Sequence, residues 1–181
     1  MTLETPRLLL RPFAPEDAED LFDYARDPRV GPIAGWPPHG SVAESREIIS
    51  TVFAAPNVFA MVLRETGRVV GSIGLVGRHP MGERPDCPDD EVGYALRPDL
   101  WGRGLVPEAM SAVLDHSFAD LRLRRVWCGH VEGNWRSARV IRKCGFSYCT
   151  SRVERHSGRD RLIYYYVLTE EDWRGELSGA L

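Results

Sequence analysis

The chain has 181 residues and a formal net charge of −3, from 23 Lys and Arg against 26 Asp and Glu. Hydrophobic residues make up 43% of it and charged residues 27%, as in ordinary globular proteins. The length favours one domain over residues 1–181, and the composition argues against long disorder, collagen and coiled coil. Because there is no surplus of basic residues, we expect no nucleic-acid partner.

Targeting signals and cysteine usage predict the compartment. Residues 1–7 show no charged-then-apolar signal pattern, and no apolar run approaches the roughly 18 residues that a membrane helix needs. The four cysteines do not form the dense framework of a small secreted protein. We therefore expect a cytoplasmic protein with reduced thiols and no membrane association.

Strands and helices alternate along the chain. In the first half, the pattern predicts a strand at 8–13, a helix opening at 15–17 and stopping before Pro28, a Gly- and Pro-rich loop at 31–40, and a helix from Ser41 to near Phe53. Strands at 58–64 and 69–76, a polar loop at 78–90 and a strand at 91–96 follow. The second half is predicted to contain a helix at 106–120, a strand at 125–132, a helix at 134–143, strands at 146–154 and 162–168, and a short helix after Thr169. This order indicates a mixed α/β (α+β) domain with helices covering a central sheet of about seven strands.

The stretch with most chemical information runs from residue 91 to 109, as a strand, a glycine loop and a helix. Gly102 and Gly104 flank one residue immediately before the helix, so backbone N–H groups can converge at its positive end, which suits a phosphate. A tight turn into the helix is the alternative. The loop matches neither a P-loop nor the dinucleotide fingerprint. Since Pro107 lacks an N–H, the donors are those of Arg103, Gly104, Leu105 and Val106.

A second informative stretch opens the helix at 134–143. Asn134 is a candidate N-cap, and Ser137 lies one turn further in. The helix is basic, and this face either is solvated or meets an anionic cofactor. Its basic residues are Arg136, Arg139, Arg142 and Lys143.

These stretches together resemble the GNAT superfamily of acetyl-CoA-dependent N-acetyltransferases, in its RimJ/RimL-like branch. The resemblance covers nearly the whole chain. It runs from Thr5-Pro6-Arg7-Leu8 through Trp101-Gly102-Arg103-Gly104, Asn134-x-x-Ser137 and Lys143-Cys144-Gly145-Phe146 to Leu168-Thr169-Glu170-Glu171-Asp172-Trp173. It implies a mostly antiparallel, twisted sheet flanked by helices.

The resemblance also implies a binding site for acetyl-CoA. In the family, the glycine loop binds the pyrophosphate through main-chain N–H groups, and the preceding strand pairs with the pantetheine arm and polarises the thioester carbonyl. Val106 departs from the family's small residue and keeps the backbone N–H. The implied cofactor-binding residues are Tyr94, Ala95, Leu96, Trp101, Gly102, Arg103, Gly104, Leu105, Val106, Asn134 and Ser137.

Two catalytic roles follow from the reaction that the resemblance implies. An attacking amine must be neutral, so a base helps, and Glu91 is the candidate, with Asp89 and Asp90 as substitutes. The leaving thiolate needs a proton, and Ser137 matches the serine of the family motif. Each assignment has a structural alternative: a strand-edge acid for Glu91 and a helix-start hydroxyl for Ser137. Other groups considered are the tyrosines at 164–166 as the acid and His130 as a base or a packed histidine.

The sequence therefore predicts an N-acetyltransferase that moves an acetyl group from acetyl-CoA to a primary amine, either a protein N-terminus or a small molecule, by direct attack in a ternary complex. The alternative is a catalytically silent acyl-CoA-binding or sensor domain. We expect no metal, since His79 and Cys87 share one loop without a second pair of ligands. A homodimer is compatible with the family, although no residue demonstrates it.

Overall fold

The computed structural model of the protein describes residues 1–84, 86–156 and 158–179. The described strands form one sheet in the order β1-β2-β3-β4-β5-β6-β8-β7. The strands are β1 (Leu3–Glu4), β2 (Leu8–Arg11), β3 (Val58–Leu63), β4 (Val69–Leu75), β5 (Asp89–Leu96), β6 (Arg125–Val131), β7 (Ser147–His156) and β8 (Arg159–Thr169). The helices are α1 (Ala18–Ala25), α2 (Gly31–Ala34), α3 (Val42–Thr51), α4 (Leu105–Ala119), α5 (Trp135–Lys143) and α6 (Glu170–Gly179).

One pair of neighbouring strands differs from the rest. Strands β5 and β6 are parallel, whereas the other neighbours in the sheet are antiparallel. Their pairing covers three positions and ends where Glu91 meets Trp127. Beyond that point β5 continues to Leu96 on β4, and β6 continues to Val131 on β8. A gap therefore opens in the middle of the sheet, beginning at Glu91.

Helices bury both faces of the sheet. On one face, α4 and α5 cover the main core, in which Met110, Leu114 and Ile141 are fully buried. On the other face, α1 and α3 cover a second core around Leu21 and Ile49. Burying one such side chain stabilises the fold by about 1.5–3 kcal/mol. Both walls of the gap are thus fixed by packed elements.

Local signals in the sequence produce the expected element boundaries. The Ser41 hydroxyl accepts the Glu44 N–H at 3.1 Å and caps α3, as predicted. The Thr169 hydroxyl accepts the Asp172 N–H at 3.1 Å at the start of α6. In β4, a Cβ at Gly71 would clash with the backbone of β5, so this glycine allows the two strands to pack closely.

The fold class is confirmed, with differences in detail. In the described part of the chain the sheet has eight strands rather than about seven, because the two-residue β1 pairs with β2 although it is too short to show a period. Residues 31–34 of the predicted loop form α2, which closes on Gly35 in the left-handed region (φ +103°). Strand β5 begins two residues earlier than predicted, because the Asp89 backbone pairs with Arg125. Of the predicted loop at 78–90, Pro85 lies outside the described residues.

Candidate active site

A cleft of about 1290 Å³ occupies the gap between β5 and β6. Its walls are residues 91–96 of β5 and 128–131 of β6. Residues at the start of α4, on the exposed side of α5, in α2 and in the β7–β8 hairpin also line it. A ligand in this cleft can therefore lie between two strands whose facing edges are unpaired.

The glycine loop forms the N-terminal end of α4 at one mouth of this cleft. Gly102 (φ +79°) and Gly104 (φ +77°) adopt the left-handed region, and Gly104 is the residue that precedes α4. Within the described part of the chain, the four N–H groups from Arg103 to Val106 donate to no backbone carbonyl. A Cβ at Gly102 would have no neighbour within 4 Å, so the loop is open on this side. These free donors at a helix N-terminus suit a phosphate or pyrophosphate.

The N-terminal segment is hydrogen-bonded to this loop and to α4, a feature that the sequence did not predict. The Glu108 carboxylate accepts the Thr5 hydroxyl at 2.6 Å, the Arg7 backbone N–H at 2.8 Å and the Arg7 Nε–H at 2.7 Å. The Arg7 guanidinium also donates to the Arg103 carbonyl at 2.9 Å. We call these residues the Thr5–Arg7–Glu108 network. The resemblance included Thr5 and Arg7 without a role, and the structure supplies one.

Trp101 connects the loop to β5 and lines the cleft. Its indole N–H donates to the Leu96 carbonyl at 2.8 Å, so that carbonyl is engaged at the end of the strand. The Arg136 guanidinium lies 4.7 Å from the centre of the Trp101 ring, and that of Arg29 lies 5.9 Å away. These cation–π contacts bring residues of α5 and of the segment before α2 to the same aromatic side chain.

Helix α5 supplies a basic wall. Arg136, Arg139 and Lys143 line the cleft at helical spacing, whereas Arg142 is exposed and is not part of the lining. Three of the four basic side chains therefore border the cleft. The wall and the free N–H groups of α4 flank one mouth of the cleft and favour negative charge there.

Asn134 and Ser137 lie together at the start of α5. The Asn134 side chain accepts the Ser137 N–H at 3.2 Å, so it is the N-cap of this helix, and it also lines the cleft. Ser137 is 8% exposed, and its hydroxyl lies 2.7 Å from the Tyr94 hydroxyl. Burial raises the pKa of Tyr94 well above its usual value. The pair therefore holds protons at neutral pH on the wall of the cleft.

Glu91 lies at the point where the two strands separate. Its side chain is buried, and burial is the main reason that its pKa rises to about 7, from an ordinary value of 4.5. Among the described residues, Glu91 Oε2 accepts no hydrogen bond, although the Arg78 Nε lies 3.5 Å away. A carboxylate that can take up a proton near neutral pH thus faces the cleft.

The other candidate acids and bases make contacts of their own. Asp89 accepts the indole N–H of Trp127 at 2.8 Å and a guanidinium N–H of Arg125 at 3.0 Å, which makes it a structural carboxylate. Asp90 accepts the Glu91 backbone N–H at 2.7 Å. His130 is 6% exposed and stacks against Tyr164 and Tyr166, at 5.2 and 5.6 Å between ring centres, as expected for a packed histidine. Tyr165 is fully buried in a small core cluster with Val131 and Ile163.

Comparison with known proteins agrees with this geometry. A family model described as an acetyltransferase (GNAT) domain matches residues 7–147. A Bacillus licheniformis protein named uncharacterized N-acetyltransferase p20 is 28% identical over 96% of this chain and 99% of its own length. A GNAT-family acetyltransferase from Bacillus anthracis superposes with a TM-score of 0.82 at 24% identity, covering 94% of this chain and 99% of that chain.

A further similar structure carries a more specific description. The ribosomal-protein-S5-alanine acetyltransferase from Vibrio fischeri superposes with a TM-score of 0.72 at 18% identity, over 96% of this chain and 98% of that chain. At this identity the likeness concerns the fold. The family match covers most of the chain, including the glycine loop and the cleft between the strands. The chain therefore belongs to the GNAT family and is an acetyltransferase.

Proposed function

We propose that this enzyme transfers the acetyl group of acetyl-CoA to a primary amine, by direct attack of the amine in a ternary complex. The observation that carries the proposal is the position of Glu91. It is a buried carboxylate with a pKa of about 7 where β5 and β6 separate, in the same cleft as the Ser137–Tyr94 hydroxyl pair. A base and a proton donor in one cleft are what acyl transfer to an amine requires.

The cleft residues would fit two parts of coenzyme A, the charged pyrophosphate and the pantetheine arm. The free N–H groups from Arg103 to Val106 would bind the pyrophosphate, beside the basic wall of α5. The unpaired edge from Tyr94 to Leu96 would pair with the amide groups of the pantetheine arm, and an N–H there would stabilise negative charge on the carbonyl oxygen. Val106 keeps its N–H although its side chain is larger than the family's usual residue. When bound, acetyl-CoA supplies the acetyl group as an activated thioester.

Glu91 would act as the general base. A lysine amine with a pKa near 10.4 is mostly protonated at neutral pH, and an α-amino group near 7.7–8.0 is less so. A base with a pKa of about 7 is half ionised at that pH and can accept the proton directly or through one water. Desolvation thus makes Glu91 a stronger base than an ordinary glutamate while leaving it partly charged.

Ser137 would donate the proton that the leaving thiolate needs. Its hydroxyl lies 2.7 Å from the Tyr94 hydroxyl, so the proton that Ser137 gives to sulfur can be replaced from Tyr94. The Asn134 cap fixes the Ser137 backbone at the start of α5. Starting from a neutral amine, Glu91 takes up the one proton that the nitrogen loses and Ser137 protonates the thiolate, so the products are a neutral amide and a neutral thiol. Exchange with solvent then returns the proton of Glu91 to the Ser137–Tyr94 pair.

For the acceptor, we propose a protein N-terminal α-amine or a small-molecule amine, as in a RimJ/RimL-like enzyme. The ribosomal-protein acetyltransferase among the similar structures supports that branch through its fold. The acceptor end of the cleft is bordered by α2 and the tip of the β7–β8 hairpin, where His156 lies 3.2 Å from the Ile33 carbonyl. Loops of this kind set acceptor specificity.

The test is an acetylation assay with a panel of primary amines, comparing wild type with Glu91→Gln and with Glu132→Gln, an exposed carboxylate just beyond β6. We expect Glu91→Gln to lower kcat/KM by about 10²–10⁴-fold, with coenzyme A affinity unchanged, because a general base contributes about that much. Glu132→Gln should retain wild-type rates. Full activity of Glu91→Gln would show that Glu91 is not the base. Binding of coenzyme A by the wild-type protein without turnover of any amine would favour the silent sensor.

A further inference from the structure

One guanidinium lies between two carboxylates at the closed end of the cleft. The Arg78 Nε is 3.5 Å from Glu91 Oε2, and an Arg78 terminal nitrogen makes an ion pair with Glu154. The three residues come from different parts of the sheet: Arg78 follows β4, Glu91 lies in β5 and Glu154 lies in β7. The ion pair with Glu154 therefore connects the acceptor hairpin to the strand pair that carries Glu91.

The same guanidinium also makes a cation–π contact with an aromatic ring. The Arg78 guanidinium carbon is 5.7 Å from the centre of the Tyr165 ring, and the Tyr165 hydroxyl donates to Glu154 at 3.0 Å. Tyr165 is fully buried, whereas the Arg78 side chain is 47% exposed. Since half of the Arg78 side chain is in solvent, its position beside Glu91 depends on Glu154 and Tyr165.

The titratable groups around Glu91 are one cation and several groups that carry or can acquire negative charge. The titratable groups that face it are Arg78, Asp90 on its own strand, Glu154 on β7, Tyr165 on β8 and the Cys128 thiol on β6. Among the described residues, Arg78 is the one cation in ion-pair contact with Glu91. Burial and the negative neighbours disfavour the Glu91 carboxylate, and Arg78 opposes them.

We propose that Arg78 is a positioning residue for Glu91: fixed by Glu154 and Tyr165, it keeps the Glu91 carboxylate charged and in place to receive the proton of the acceptor amine. The inference rests on the proposed function, in which Glu91 is the base. The same positive charge lowers the pKa of an ammonium beside it, so it also favours the neutral, nucleophilic form of the acceptor amine.

The experiment measures the pH dependence of kcat/KM, with one acceptor, for wild type and three variants. In Arg78→Met the acid limb should move up by about one pH unit, because an opposite charge at this distance lowers a carboxyl pKa by about that much or more. At pH values below the limb, kcat/KM of Arg78→Met should be about tenfold lower than that of wild type, and the difference should disappear above about pH 9. Arg78→Lys should return most of the shift. Arg152→Met is the matched control, since Arg152 lies 5.9 Å from the same Tyr165 ring and makes no ion pair with Glu91 in the described structure.

A further variant tests how Arg78 is fixed. Glu154→Gln removes the ion-pair partner of Arg78, so the guanidinium should leave Glu91 and the acid limb should move up, by less than in Arg78→Met because a negative charge that faces Glu91 is lost as well. It tests the proposal even if Arg78→Met does not fold, as judged by its thermal transition. An unmoved limb in Arg78→Met, or an unmoved or downward-shifted limb in Glu154→Gln, would overturn the role of Arg78. An acid limb that persists in Glu91→Gln would instead show that Glu91 is not the base.

Discussion

Replacing Glu108 by Gln should weaken the fold and the glycine loop together. The Glu108 side chain is 15% exposed and accepts three hydrogen bonds of 2.6–2.8 Å from Thr5 and Arg7. A hydrogen bond to a charged group contributes about 1.5–3 kcal/mol, but the Arg7 side chain is 48% exposed, which reduces its share. We expect Glu108→Gln to lower the free energy of unfolding by about 1–2 kcal/mol and the melting temperature by about 3–6 °C.

The pH dependence of the loss in unfolding free energy gives a second measure of the contribution of Glu108. Burial alone would raise the pKa of Glu108, but the hydrogen bonds from Thr5 and Arg7 outweigh it and hold the pKa below its ordinary value of 4.5. A carboxyl group with a depressed pKa stabilises the fold above its unfolded pKa, and this contribution is lost as the pH falls through the folded value. The difference between wild type and Glu108→Gln should therefore be full at pH 7 and should shrink below about pH 4.5.

Urea unfolding at several pH values measures this difference, and Arg26→Gln is the control. Arg26 forms an exposed ion pair with Asp23 at 3.4 Å, which should contribute less than about 0.5 kcal/mol. Because Arg7 also donates to the Arg103 carbonyl, Glu108→Gln should weaken coenzyme A binding severalfold in calorimetry. Equal stability of wild type and Glu108→Gln at pH 7 would refute the reasoning that this network holds the loop.

Two further predictions concern the proposed donors. Ser137→Ala should lower kcat by about tenfold or more while preserving coenzyme A affinity, because it removes the hydroxyl paired with Tyr94; a kcat equal to that of wild type in a steady-state assay would reassign the acid. Gly104→Ala places a side chain at φ +77°, which costs about 1–2 kcal/mol, and should weaken coenzyme A binding by about tenfold. Gly82→Ala, at φ +80° in an open loop, carries the same strain and should bind normally in the same titration.

The parts of the site that depend on neighbouring residues could be predicted from the sequence. Gly104 next to the start of α4 and Asn134 at the start of α5 are local signals, since a left-handed residue and a cap act within one turn. The basic wall of α5 also follows from spacing, because residues three and four apart share a helix face. The direction of this wall towards the cleft does not follow from spacing, since the sequence left a solvated face open as the alternative.

The contacts that join distant segments could not be predicted from spacing. Arg78 and Glu154 are 76 residues apart, and the Arg7–Glu108 contact spans 101 residues. No local pattern distinguishes these arginines from others on the surface. Likewise, α2 has four residues within a stretch rich in Gly and Pro, too few to show a helical period. Such features depend on how the finished sheet aligns its strands.

The position and the chemistry of Glu91 have one common cause in the packing of the sheet. A Cβ at Gly129 of β6 would lie 3.2 Å from Glu91 Oε1 and 3.1 Å from the Tyr165 ring, so the absence of a side chain there gives the Glu91 carboxylate its space. Glu91 is also the last residue of β5 that pairs with β6. Packed strands therefore bury the carboxylate on one side, while the opening cleft exposes it to a ligand on the other. Burial raises its pKa and the opening gives it access, and a general base needs both.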